Sequence, residues 1–153
     1  MTKKIAIVGM GVSGLAVLLA ISQQTKEYLQ SIEISCFDDS EHFGRGIPFQ
    51  EDDDSALINS PLDDISFDYH QMMDFMDWLK VNKYDTSVTY TSRALYGRYM
   101  KERAHQLITQ LPVTIIKEPV ESISYSPSTQ TFQSTLPNTR STQIFDPDIG
   151  KAT

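Results

Sequence analysis

The chain has 153 residues, 40% of them hydrophobic and 22% charged, with a formal net charge of −7 at pH 7. That length suits one domain with a respectable core, taken as residues 1–153, and the acidic balance argues against a general nucleic-acid binder, which shows a basic face. No stretch is long and apolar enough to span a bilayer. The single cysteine, Cys36, has no partner for an intramolecular disulfide, which points to a reducing cytoplasm.

In chain order, the first element is an apolar run, Ile5-Ala6-Ile7-Val8, that enters Gly9-Met10-Gly11-Val12-Ser13-Gly14 directly. The β-branched residues predict a strand buried on both faces, as in a parallel sheet. The G-x-G-x-x-G spacing that follows has a mechanical reading. Gly9 permits a tight turn, Gly11 lets the backbone approach a pyrophosphate, and Gly14 lets the next helix pack on the strand. Backbone N–H groups at that helix start, around Val12 and Ser13, then face the phosphates with the positive end of the helix dipole. A secretory signal is the competing reading, because Lys3 and Lys4 precede the apolar run. Three interrupting glycines and the polar Ser22-Gln23-Gln24 that follows argue against it.

A helix is predicted from Val12 to Ile21, with Leu15, Leu18 and Leu19 as its apolar stripe. Ser31 to Phe37 then alternates like a strand, and Asp38 and Asp39 follow at once. A carboxylate at the end of the second strand of a β-α-β unit, about 20 residues past the last glycine, takes ribose hydroxyls as a bidentate acceptor. Asp38 is the first choice, and Asp39 takes the role if the strand runs one residue longer. Cys36 itself reads as a small buried hydrophobe.

An irregular stretch follows, punctuated by Gly44, Gly46, Pro48 and Pro61. Within it, the glycines flanking Arg45 let the backbone pass close to a ligand while the guanidinium reaches a phosphate or a ring edge. A surface turn is an equally good reading. The acidic run Glu51 to Asp54 lacks the alternate spacing of a calcium loop and reads as a solvated surface. His42, His70 and His105 are scattered and suggest no metal site.

Helical spacing returns over Gln71–Val81, where Met72, Phe75, Met76, Trp78 and Leu79 read as core, and over Ser92–Thr109, with Ser92 as N-cap. Arg93, Tyr96, Arg98 and Tyr99 crowd one or two turns of the second helix. Salt bridges to the abundant acids are favoured for them over phosphate contacts. Val113 to Ile116 reads as a third parallel strand, and residues 119–137 as a β-hairpin insertion joined by Ser126 to Gln130. The whole predicts an α/β, Rossmann-like three-layer nucleotide-binding fold with a parallel sheet.

The segments Gly9–Gly14, Cys36-Phe37-Asp38, Gly44–Phe49, Leu57–Pro61, Phe75–Leu79 and Leu95–Tyr99 together resemble the N-terminal part of the FAD/NAD(P)-binding flavoprotein-like family. The spacing by itself gives only a dinucleotide site. The resemblance implies FAD, with NAD(P) possible, held through its ADP half by Gly9, Gly11, Val12, Ser13, Gly14 and Asp38, with Arg45 and Asn59 as further contacts. It also implies flavin-dependent oxidoreductase chemistry with a nicotinamide partner and a small-molecule substrate that the sequence does not identify. Members of that group are longer and carry a returning strand ending in Asp-x-x-x-Ala-Thr-Gly. Asp148 to Thr153 matches the start of that pattern, so an incomplete FAD-binding domain is expected. No nucleophile with an adjacent base is visible, and no catalytic residue is assigned. The alternatives are a non-catalytic nucleotide-binding module or remnant, and a small NAD(P)-dependent dehydrogenase or methyltransferase using the same ribose acid.

Overall fold

The computed structural model describes residues 2–137 and 142–145. Strand β1 (Lys3–Val8), helix α1 (Val12–Ser22), a short helix α2 (Lys26–Gln30) and strand β2 (Ile32–Phe37) form the first β-α-β unit. Helices α3 (Asp74–Val81) and α4 (Arg93–Thr109) follow a long connection, and strand β3 (Val113–Ile116) completes a parallel sheet in the order β1-β2-β3. The remaining strands, β4 (Ser122–Ser126), β5 (Thr131–Thr135) and β6 (Thr142–Phe145), make a separate antiparallel sheet.

Side-chain alternation assigns the two faces of the parallel sheet. Ile5 pairs with Ile34 and Ile7 with Cys36, and all four point into the helix-side core with Leu15, Leu18, Phe75, Tyr99 and Leu107. On the opposite face Phe37 packs with Leu136, Ala6, Ile116 and Val120, of which Val120 and Leu136 flank the antiparallel strands β4 and β5. Helices thus cover one face of the parallel sheet, and the segments flanking the antiparallel hairpin cover part of the other. Among the described residues no helix is long and apolar enough to cross a membrane.

Several expectations change. Val8 is 46% exposed, so β1 is not buried on both faces along its length; its last residue stands at the open C-terminal edge of the sheet. Helix α3 begins at Asp74 instead of Gln71, because residues 71–73 form a turn closed by Asp74 N–H to the Gln71 carbonyl, and Met72 is exposed. The hairpin gains a third strand, β6, paired with β5 from Phe132 to Thr135. Helix α2 buries no residue, so it has no apolar period to read; its trace in the sequence is Thr25, whose hydroxyl caps Tyr28 N–H at 3.3 Å. The segment Asp148–Thr153 lies outside the described residues.

Helices α3 and α4 are braced by one polar group. Arg103 of α4 holds both oxygens of Asp74 at 2.7 and 2.8 Å, and the Tyr99 hydroxyl donates to Asp74 at 2.6 Å. Tyr99 also accepts the Phe67 N–H at 2.9 Å, which ties the connecting loop to the same point. Burial pushes the Asp74 carboxyl up, but the bonds from Arg103 and Tyr99 outweigh it and leave the group below its ordinary range. Tyr96 and Tyr99 are core residues, as their burial shows, while Arg93 donates to the Leu57 carbonyl at 3.1 Å.

Candidate functional site

At the C-terminal end of β1 the chain turns on Gly9, whose φ of +89° is the left-handed conformation that side chains resist. Its N–H donates to the Phe37 carbonyl at 2.8 Å, which fastens the turn to the end of β2. Gly14 sits against the same turn. A Cβ there would overlap the Gly9 carbonyl oxygen and stand 3.3 Å from Ile7 Cγ2. Helix α1 therefore lies directly on β1, and its first turn opens beside the strand end.

That first turn carries no cap. Gly11 at the N-cap position offers no side chain, no acidic residue occupies the first turn, and the intrahelical ladder starts with Leu15 N–H to the Gly11 carbonyl at 3.0 Å. The N–H groups of Val12, Ser13 and Gly14 have no acceptor among the described residues. Val12 and Ser13 are exposed at this helix start, where the positive end of the dipole lies, while Gly14 is buried against the turn.

Asp38 reaches into the turn. One carboxylate oxygen accepts the Met10 N–H at 2.6 Å and the other accepts the Asp39 N–H at 2.8 Å. The acid is partly exposed, and a carboxylate has about four acceptor positions, so lone pairs remain for a ligand. Asp39 faces a different task. Its oxygens accept the N–H groups of Glu41 and His42 and pair with His42 Nδ1 at 2.8 Å, folding the next loop.

Residues 39–50 fold back over the glycine turn. Gly44 N–H donates to the Met10 carbonyl at 2.8 Å, and a Cβ on Gly11 would meet Gly46 Cα at 3.3 Å. The two glycine motifs are thus one unit in space. His42 staples the loop by contacting Asp39 and, at 3.2 Å, Gln50. The hydrogen bond that His42 donates to Asp39 raises the His42 pKa above its ordinary 6.5, and the same bond lowers Asp39 below its ordinary 3.8. A raised histidine supports the fold fully below 6.5 and loses that support as pH rises through its raised value. A lowered carboxylate does so above 3.8 and loses it as pH falls. Hydrogen exchange at Gly46 N–H, bonded to the His42 carbonyl at 2.7 Å, is therefore expected to be best protected, after correction for the intrinsic rate, between pH 3.8 and 6.5. His42→Ala should flatten this profile, and an unchanged profile would show that the staple does not order the loop.

Arg45 lies inside the same loop with only 5% of its surface exposed. Its Nη1 approaches Glu51 Oε1 at 3.3 Å, and its Nε is buried without a hydrogen-bond acceptor. Glu51 is also held by Arg98 of α4, at 2.9 Å from Nη2 and 3.3 Å from Nε. So Arg98 makes the expected salt bridge, and Glu51, Asp52, Asp53 and Asp54 are all exposed as the solvated-run reading expected, Glu51 adding ion pairs to Arg45 and Arg98. Asn59 is exposed on the segment that runs beside Thr89–Arg93, and its side chain makes no hydrogen bond among the described residues. Cys36 is buried, and that burial pushes its thiol up to about 12.

Among the described residues there is no cluster of histidine, cysteine and carboxylate side chains able to hold a metal ion. Two open clefts of about 370 Å³ each flank α4. One is lined by Leu19, Phe67, Asp74 and Arg103, the other by Leu57, Tyr84, Tyr90, Leu95 and Arg98. Neither of these two contains a residue of the glycine turn; the second shares Arg98 with the Glu51 group.

Known proteins can now be set beside this geometry. No curated protein matches the chain in sequence. Among solved structures, OTEMO in complex with FAD and NADP aligns with 94% of this chain at a TM-score of 0.64 and 13% identity, using 24% of its own length. Tmm from Pelagibacter sp. aligns with 94% of this chain at 0.65 and 18% identity, over 34% of its length. A cyclohexanone monooxygenase mutant from Rhodococcus sp. Phi1 bound to NADP+ aligns with 95% at 0.62 and 15% identity, over 25% of its length. The chain thus spans a quarter to a third of these proteins, and at such identities they share the fold. A sequence family described as FAD-NAD(P)-binding matches residues 6–146, most of the chain, and the chain belongs to that family.

Proposed function

We propose that this chain is the cofactor-binding portion of a flavin-dependent oxidoreductase and that it holds the ADP half of FAD at the Gly9–Gly14 turn. The observation that carries the reading is the placement of Asp38: its carboxylate sits on the Met10 N–H inside the turn, beside the uncapped start of α1. A ribose acceptor and diphosphate donors then adjoin each other, as a dinucleotide requires. In this reading the N–H groups of Val12, Ser13 and Gly14 take the diphosphate and Asp38 takes the ribose hydroxyls. Gly9 and Gly11 bring the backbone close, Asp39 folds the loop, and the buried Arg45 adds positive charge. The unpartnered Nε of Arg45 fits an anionic group better than an apolar one. Asn59 enters from the family resemblance alone. The flavin, when bound, supplies hydride-transfer chemistry; this chain's residues bind and orient it. FAD, OTEMO's bound cofactor together with NADP, is preferred, and NAD(P) is the competing ligand. The lone, buried Cys36 favours a cytoplasmic setting.

Asp38→Asn tests the assignment, since the amide keeps an acceptor for Met10 N–H but loses the charge, and its NH2 replaces the oxygen that accepts the Asp39 N–H and would serve the second hydroxyl. FAD affinity is expected to fall about 10-fold or more, in line with the loss of a charged hydrogen bond. Inorganic pyrophosphate, which has no ribose, should bind the variant as it binds the parent. Unchanged FAD affinity by calorimetry, with NAD(H) and NADP(H) titrated in parallel, would remove Asp38 from the site.

A further inference from the structure

The charges around Arg45 are unevenly matched. Arg45 is almost wholly buried, yet among the described residues its one ionic contact is the 3.3 Å approach of Nη1 to Glu51, and its Nε has no acceptor. Glu51 gives its closer bond, 2.9 Å, to Arg98, and about half of its side chain is open to water. Lys101, one helical turn beyond Arg98 on α4, packs on the same loop: a Cβ on Gly44 would meet its Cα at 3.5 Å and its Cγ at 3.6 Å. Burial first and the field of Arg45 second lower its pKa, and Glu41, Glu51 and Lys117 also act on it. Arg45 and Arg98 therefore share one carboxylate, with Lys101 against the loop that packs on Gly11, in a chain whose net charge is −7.

We propose that Arg45, Arg98 and Lys101 form a phosphoryl-anion subsite and that Glu51 is its exchangeable counter-ion, which sets ligand affinity by competing with the incoming diphosphate. The proposal rests on the dinucleotide reading above for its location. Its physics is independent. A half-exposed carboxylate returns to water at small cost, and an exposed Arg–Glu pair contributes little to hold it. A phosphoryl group carries more charge and more acceptor oxygens, and it can satisfy the Arg45 donors that Glu51 leaves unfilled. Glu51 thereby keeps the buried Arg45 compensated and keeps the loop closed, while weakening every anion that enters.

Glu51→Gln retains the shape and removes the competing charge. In the full chain, affinity for inorganic pyrophosphate is expected to rise about 10-fold and to fall more steeply with added salt. Without added anion the melting temperature should fall, because the buried Arg45 loses its carboxylate, and saturating pyrophosphate should recover it. FAD should gain in parallel, while adenosine, which has no phosphate, should bind both forms equally. Adding Arg45→Gln to the Glu51→Gln chain should abolish the gain. Pyrophosphate that binds the variant no better than the parent, or binds neither, would overturn the subsite. A variant that loses pyrophosphate affinity would also overturn it and make Glu51 a positioning residue for Arg45. A gain for pyrophosphate without FAD binding to either form would keep the subsite and discard the dinucleotide reading.

Discussion

Gly14→Ala is expected to lower stability by about 3 kcal/mol and to abolish dinucleotide binding. The added methyl group would sit on the Gly9 carbonyl oxygen and 3.0 Å from its carbon, with Ile7 Cγ2 at 3.3 Å on the other side. Two of these neighbours are backbone atoms of a turn fixed by the Gly9 N–H bond to Phe37, so they cannot rotate away as a flexible side chain does. Helix α1 would have to lift from β1, and Leu15 and Leu18, both fully buried, would lose packing with it. In a domain of 153 residues that cost corresponds to a fall of roughly 6–12 °C in melting temperature. Urea denaturation and FAD titration on the same variant measure both effects. Ala16→Ser, an exposed change on the same helix, serves as the control and should leave both unaltered. A Gly14→Ala chain with the parent's denaturation midpoint would mean that α1 does not depend on this close approach.

The part of the fold that was legible in the sequence is the part specified by local pattern. Ile5 and Ile7, the glycine spacing, and Ile32, Ile34 and Cys36 encode a strand, a turn and a second strand within a short span, and the β1-β2 register follows from burying those residues on one face. Ser92 likewise announced the start of α4, and its hydroxyl does cap Leu95 N–H at 3.2 Å. What stayed hidden depends on distant partners. Glu51 and Arg98 are separated by 47 positions, and no local period links an acidic run to a cation on a later helix. The exposure of Val8 follows from where the sheet opens, which composition does not encode. The choice between Asp38 and Asp39 was open in the sequence because adjacent acids at a strand end look alike. In the structure, one reaches Met10 N–H and the other turns back to His42. Gly97, a helix-disfavouring residue among large side chains near the start of α4, is a local sign of a close approach.

Gly97→Ala separates helix propensity from packing, because the two demand opposite signs. Alanine within a helix is favoured over glycine by about 1 kcal/mol, so α4 by itself would gain. The structure predicts a net loss of about 2 kcal/mol instead. A Cβ at this position would overlap the Phe49 carbonyl oxygen, with the Phe49 carbonyl carbon at 3.0 Å and Phe49 Cβ at 3.1 Å. The Ile47–Phe49 turn rests on α4 here, with the Phe49 ring edge-on to Tyr96 at 4.9 Å. Pushing that turn outward also moves Glu51, two residues on, away from Arg98, the next residue of α4. The variant should therefore melt several degrees below the parent and change pyrophosphate affinity as well, although residue 97 has no charge to offer a ligand. A stabilised Gly97→Ala chain would show that the turn yields easily, and the Arg45–Glu51–Arg98 group would then owe its geometry to something other than the seating of the loop on α4.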